Sequence, residues 1–222
     1  MLDPNNESGP IPFTSSALLV VAYIRLSLDI GSHRHLESRD PALIAQGLAA
    51  LPDIERNDNL LSALLYSTHA LSIPVRLGID RVARSQAFFW SVQHAISSFE
   101  CAVFLGKWLC ALHGDTLTRM SREFCACVHV SARIYPYVCM CIANATRPGS
   151  EHRIVHWVKC IVEEAYAVVD FDDECDVPVS HEPFQLGIAV LHIWCRFFQG
   201  NTQWQFVNNL GISLERYTKT LT

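Results

Sequence analysis

Phe89, Val92, Ile96, Phe99 and Val103 fall at alternating steps of three and four residues. That is the period of one side of an α-helix, and so long an apolar row must be buried against other elements. The row predicts a long helix from Asp80 to about Gly114. Phe89, Phe99 and Val103 belong to its core side, and Gln93, Ser97, Glu100 and Lys107 to the opposite side.

The rest of the chain repeats the pattern. Residues 1–12 are polar and Pro-bearing, a flexible lead-in. A first helix is expected from about Ser15 to Asp29, capped by Thr14 or Ser15 and closed by Gly31. It is apolar nearly all round (Leu18, Leu19, Val20, Val21, Tyr23, Ile24), which is the mark of a central helix. Asp40-Pro41 is a cap followed by Pro at the first helical position, and the short helix after it carries Leu43, Ile44, Leu48 and Leu51 inward until Pro52. A third helix should run from Asn57 to Leu71, because Pro74 pushes Ile73 toward an extended conformation. Phe124, Val128, Ser131, Tyr135, Val138 and Ile142 mark a further helix with a kink at Pro136. Ser150 caps one with Ile154, Val158, Ile161, Ala165 and Val168 inward. Phe184, Ile188, Leu191, Cys195 and Phe198 define the next, ended by Gly200, and a last helix spans Thr202 to about Thr220. No segment reads as a strand. The expectation is an all-α fold: one domain, residues 13–222, of seven to eight antiparallel-packed helices.

Of the 222 residues, half are hydrophobic and 18% are charged, against a usual charged share of about 25%. So little charge implies a large interior or an apolar surface that meets a protein partner. The net charge is −5, with Lys and Arg few and scattered. Nucleic-acid modules carry a basic stripe that neutralises phosphates, so direct DNA contact is not expected. No apolar run approaches the roughly 20 residues that span a bilayer, and the first residues lack the basic and apolar regions of a signal peptide. Nine Cys in such a chain read as reduced thiols inside a cell.

Three motifs invite chemistry. Cys139-x-Cys141 precedes His152-x-x-x-His156, but a zinc finger needs at least two residues between its Cys ligands and about twelve between the Cys and His pairs. One intervening residue would point two helical Cys about 200° apart. Cys125-x-Cys127 fails in the same way, and core packing is the better account of the cysteines. Asp172-Asp173-Glu174-Cys175-Asp176 is an Asp-Asp-x-x-Asp cluster of the kind that holds magnesium against a diphosphate in all-α lyases. Its companion motif begins at Asn209 and Ser213 but meets Tyr217 where a Glu is required, so the cluster reads as a solvated acidic loop. His69 and His94 lie on expected helices and read as partly buried and hydrogen-bonded. No catalytic, cofactor-binding or metal-binding residue is assigned.

Several strings carry a resemblance. Phe13-Thr-Ser-Ser16 precedes the first apolar helix, followed by Ala22-Tyr-Ile-Arg25 and Arg39-Asp-Pro41. The segment Ala63 to Asp80 runs without a break into Arg81 to His94, and Glu100-Cys-Ala-Val103 leads to Lys107-Trp108. Together they resemble the regulatory region of fungal transcription factors with two-Cys two-His zinc fingers, most densely over residues 13–113. The resemblance implies a helical domain that modulates activation of transcription by RNA polymerase II, located in the nucleus and not an enzyme. It implies that zinc and DNA are bound by a finger module outside this chain, which then carries no cofactor of its own. It also implies a partial copy of the family region, whose uncovered first helix would associate with itself or with protein partners. The rival readings are a small magnesium-dependent lyase using the Asp172 cluster and a generic helical interaction scaffold.

Overall fold

The computed structural model describes residues 11–89, 92–112, 150–169, 182–201 and 203–222. Among them the chain forms eight α-helices and one 3-10 turn, with no strand. The helices are α1 (Ile11–Arg25), α2 (Pro41–Ala49), α3 (Leu60–Leu77), α4 (Ile79–Phe89), α5 (Val92–Ala111), α6 (Ser150–Val168), α7 (Pro183–Gln199) and α8 (Gln205–Leu221). The 3-10 turn, Leu36–Ser38, lies between α1 and α2. The expected all-α class is what the chain adopts.

Helix α5 is the hub, packed by α1, α3 and α7. Helix α7 in turn carries α8, α4 and α6, and α2 lies on α8. Apolar residues placed by spacing alone do fill this interior. Phe99, Val103, Leu64, Leu71, Val158, Leu191 and Phe198 are fully buried. Phe198 meets Phe99 edge-on at 6.4 Å and stacks on Trp194 at 5.8 Å, so one aromatic cluster joins the two hub helices. Helices α5 and α7 run antiparallel and almost touch. A Cβ added at Gly187 would lie 2.7 Å from Cys110 Sγ and 3.0 Å from the Gly106 carbonyl oxygen, so only glycine permits this approach.

Local chemistry fixes the ends. Asp40 accepts a hydrogen bond from the Ala42 amide at 2.8 Å, which makes it the cap of α2, with Pro41 in the first turn as its sequence implies. Asn57 ties the chain after α1 to the start of α3. Its side chain donates to the Leu26 carbonyl at 2.8 Å and accepts from the Asn59 amide at 2.9 Å.

Several expectations are corrected. Helix α1 spans Ile11–Arg25, so Thr14 and Ser15 lie inside it rather than capping it. Helix α1 is peripheral, since Val20 and Ile24 are buried but Leu18 and Leu19 are exposed. Pro74 does not close α3. The helix continues to Leu77 and ends at Gly78, whose φ is 90°. Burial of Leu71, Pro74 and Val75 offsets the one backbone bond that Pro74 cannot make, and that bond lies in the last turns of the helix. The long helix expected from Asp80 is described as two elements, α4 and α5, and Val92, the first described residue of α5, is exposed. Leu43 and Val168 are exposed rather than inward, the latter because it is the final residue of α6. The side chain of Phe89, Gly114, and the helix marked by Phe124 to Ile142 lie outside the described residues.

The largest correction concerns the expected polar side of α5. Ser97 and Glu100 are buried there, because α1, α3 and α7 pack around the middle of the helix. Ser97 Oγ donates to the Ala17 carbonyl at 3.0 Å and so joins α5 to α1.

Phe99→Ala should lower the melting temperature sharply, because truncating a packed Phe costs about 3–5 kcal/mol against a total of about 5–15. Ser97→Ala, which removes one interhelical hydrogen bond, should cost about 1 kcal/mol, and Leu18→Ala at an exposed position should be nearly neutral. Thermal melts of the three variants check this order.

Candidate functional site

One charged group lies at the centre of the described structure. The Glu100 side chain has no solvent exposure, and a bare carboxylate there would be strongly disfavoured. Two guanidiniums compensate it. Arg25, the last residue of α1, binds both carboxylate oxygens, Nε to Oε2 at 3.1 Å and Nη2 to Oε1 at 2.7 Å. Arg34, from the loop between α1 and α2, adds Nη1 to Oε1 at 2.8 Å. The Arg25 contact is bidentate, the geometry in which a planar guanidinium matches a carboxylate best. Glu100 also raises the pKa of Arg25, first by this hydrogen bond. The site joins three parts of the chain, the end of α1, the loop after it and the middle of α5.

A second bidentate pair clamps α7 to the start of α4: Arg196 Nε and Nη2 each lie 3.1 Å from an Asp80 carboxylate oxygen. A third group links α7 to α8. Glu215 accepts from Gln199 Nε2 at 2.8 Å and Lys219 Nζ at 2.7 Å, and these donors, Lys219 first, hold its carboxyl below the usual range. These are geometries of attachment.

The residues weighed from sequence separate into those described and those not. Asp172, Asp173, Glu174, Cys175 and Asp176 lie outside the described residues, as do Cys125, Cys127, Cys139 and Cys141. Asn209 and Ser213, the would-be companion motif, have other duties. Asn209 Nδ2 donates to the Arg39 carbonyl at 3.3 Å, and Ser213 Oγ donates to the Asn209 carbonyl at 2.7 Å. His152 and His156 sit on α6. Burial, and then the neighbouring His156, lower the pKa of His152. His69 is half-buried, with Nδ1 out of solvent and without a hydrogen-bond partner, contrary to the bonded state expected for it. His94 is buried on α5. Among the described residues no three His, Cys, Asp or Glu side chains gather so as to hold a metal. Burial is the leading cause that pushes the Cys101 thiol up to about 12 and that of Cys110 to about 11. It also raises those of Cys160 and Cys195, so these four are not thiolates at neutral pH. Among the described residues no helix is long and apolar enough to cross a membrane.

The Glu100 centre was not assigned from sequence, although a signal exists. Glu100 is the one acidic or basic residue, histidine aside, between Arg84 and Lys107. A lone carboxylate in so apolar a stretch has to find a cation.

A family model settles the kinship. The fungal transcription factor C-terminal domain matches residues 29–216. The chain belongs to that family. The matched range takes in Arg34, Glu100, both hub helices and most of α8. The family is one of transcription factor regulatory domains and not of enzymes. No curated protein and no solved structure matches the chain.

Arg25→Ala leaves the buried Glu100 with a single bond from Arg34. The expected loss is about 3 kcal/mol, the low end for breaking a buried pair, because Arg25 itself is 41% exposed. Chemical denaturation measures it.

Stability should also fall with acid. Burial lowers the pKa values of His69 and His192 in the folded protein, so the unfolded chain binds more protons as pH drops through about 6.5. The folded state therefore loses stability from pH 7.5 to 5.5, and His69→Gln should flatten that slope. Melting temperatures across the range test the sign.

Proposed function

We propose that this chain is the regulatory domain of a fungal zinc-finger transcription factor. It acts in the nucleus on transcription by RNA polymerase II, while zinc and DNA are bound by a module outside these residues. The observation that carries this reading is the family match over residues 29–216. The net charge of −5 and the scattered Lys and Arg support a role away from the phosphate backbone.

A domain of this kind works through protein contacts. Helix α1 and the turn after it support that role, since Leu18 is 56% and Leu19 45% exposed on the helix and Leu26 just beyond it is 56% exposed. Exposed large apolar side chains, where they form a patch, mark association surfaces. Contact with a protein partner or a second copy of the chain would cover them.

The test is a fusion to an unrelated DNA-binding module in a fungal reporter strain. The folded chain should change reporter output, and Leu18→Glu with Leu26→Glu should reduce that change without lowering the melting temperature. An output identical to that of the DNA-binding module alone, at equal protein level, would refute the regulatory reading. The purified chain should bind duplex DNA no tighter than the roughly 10⁻⁴ to 10⁻⁶ M of nonspecific association at ~150 mM salt, as fluorescence anisotropy will report.

A further inference from the structure

We propose that residues 31–39, the arm carrying Arg34, form a latch that opens as a unit while the helical core stays closed. The proposal concerns the conformational equilibrium of the chain and stands independently of the regulatory reading.

The first support is the asymmetry of the Glu100 centre. Arg25 holds both carboxylate oxygens, whereas Arg34 makes a single bond to Oε1. If Arg34 leaves, the buried charge keeps a bidentate partner. If Arg25 leaves, it does not. The arm can therefore detach without stranding a charge in the interior, the event that makes breaking most buried ion pairs prohibitive.

The second support is strain confined to the arm. His35 at φ 43° and Arg39 at φ 55° flank the 3-10 turn, both in the left-handed region, and they are the only non-glycine residues with positive φ among those described. Cβ–backbone crowding makes that conformation unfavourable for such residues. Opening relieves it, so part of what Arg34 and its neighbours lose on release is returned.

The third support is how little else holds the arm. Its apolar anchor is the half-buried Leu36, and its link to α8 is a 3.3 Å bond from Asn209 Nδ2 to the Arg39 carbonyl. The remaining bonds are local: the Ser38 amide and hydroxyl donate to the His35 carbonyl, the Arg39 amide donates to the Leu36 carbonyl, and short bonds to the flanks run from the His33 amide to the Ile30 carbonyl, from Ser32 Oγ to Asp29 and from the Asp40 amide to Ser38 Oγ. The flanks are firm, since Ile30 is fully buried and Asp40 caps α2. The seat itself is narrow. The His33 carbonyl oxygen lies so close over Gly47 of α2 that any added Cβ would collide with it. Segments with few buried contacts between fixed ends are where local opening concentrates.

Hydrogen exchange read by mass spectrometry on the full 222-residue chain tests the latch. Arg34→Ala and Gly47→Ala should each speed exchange in residues 31–39 at least tenfold. Residues 97–105 of α5 should stay at the wild-type rate, and the melting temperature should move by only a few degrees. Arg34→Lys, which keeps the charge, should fall between wild type and Arg34→Ala. Arg25→Ala should speed exchange in α5 and the arm together. The latch is refuted if both Arg34→Ala and Gly47→Ala leave the arm at its wild-type rate. It is equally refuted if α5 accelerates in step with the arm, since the arm then has no opening of its own.

Discussion

A carboxylate in the middle of a sealed helix sets the terms for everything packed around it. Glu100 is fully buried, and a charge in that position demands donors that are themselves held in place. Arg25 reaches it only because α1 ends beside α5, and Arg34 reaches it only because the chain turns back after Ile30. The ion centre therefore selects one arrangement of α1 and its following loop against the hub. The apolar contacts around it would tolerate others, since burial is non-directional. The bidentate geometry is not.

The hub itself is apolar and tight. Phe99, Trp194, Phe197 and Phe198 supply bulk, and Gly106 and Gly187 remove it where α5 and α7 cross. Large rings next to bare backbone give a close interface with few ways to slide. The peripheral helices are joined to this pair by polar clamps, Arg196 to Asp80 for α4 and Gln199 to Glu215 for α8. Apolar packing thus supplies most of the stability, and the charged side chains specify which helix ends meet.

Spacing alone made much of the fold legible. The inward rows of α6 and α7 lie where the three-and-four rhythm puts them, from Ile154 to Ala165 and from Ile188 to Phe198. Asp40-Pro41 announced its cap. Periodicity fails where the middle of a helix is enclosed on its polar side as well. Gln93, Ser97, Glu100 and Lys107 share the polar side of the spacing, and Gln93 is exposed as that implies, yet Ser97 and Glu100 are enclosed. Lys107 is half-buried and donates to the Leu51 carbonyl at 3.1 Å. Tertiary packing also overrode the proline signal at Pro74, because the side chains around it gain more from burial than the helix loses in one bond. The Glu100 centre stayed hidden for a different reason. Glu100 lies 75 and 66 residues from its two partners, and nothing local says that Arg25 and Arg34 converge on one carboxylate.

The antiparallel pairing of the two hub helices has a consequence for synthesis. Phe99 contacts Phe198, almost a hundred residues later in the chain. A ribosome adding about 5–20 residues per second takes roughly 5–20 s to cover that distance. Throughout that interval the nascent chain holds α5 with its α7 side uncovered, an apolar surface that includes the cleft at Gly106. Helices α1 and α3 can already lie against α5 in that time, and Glu100 can find Arg25 and Arg34. The ion centre, made entirely of residues translated early, can thus set the first half in register before its largest apolar partner emerges.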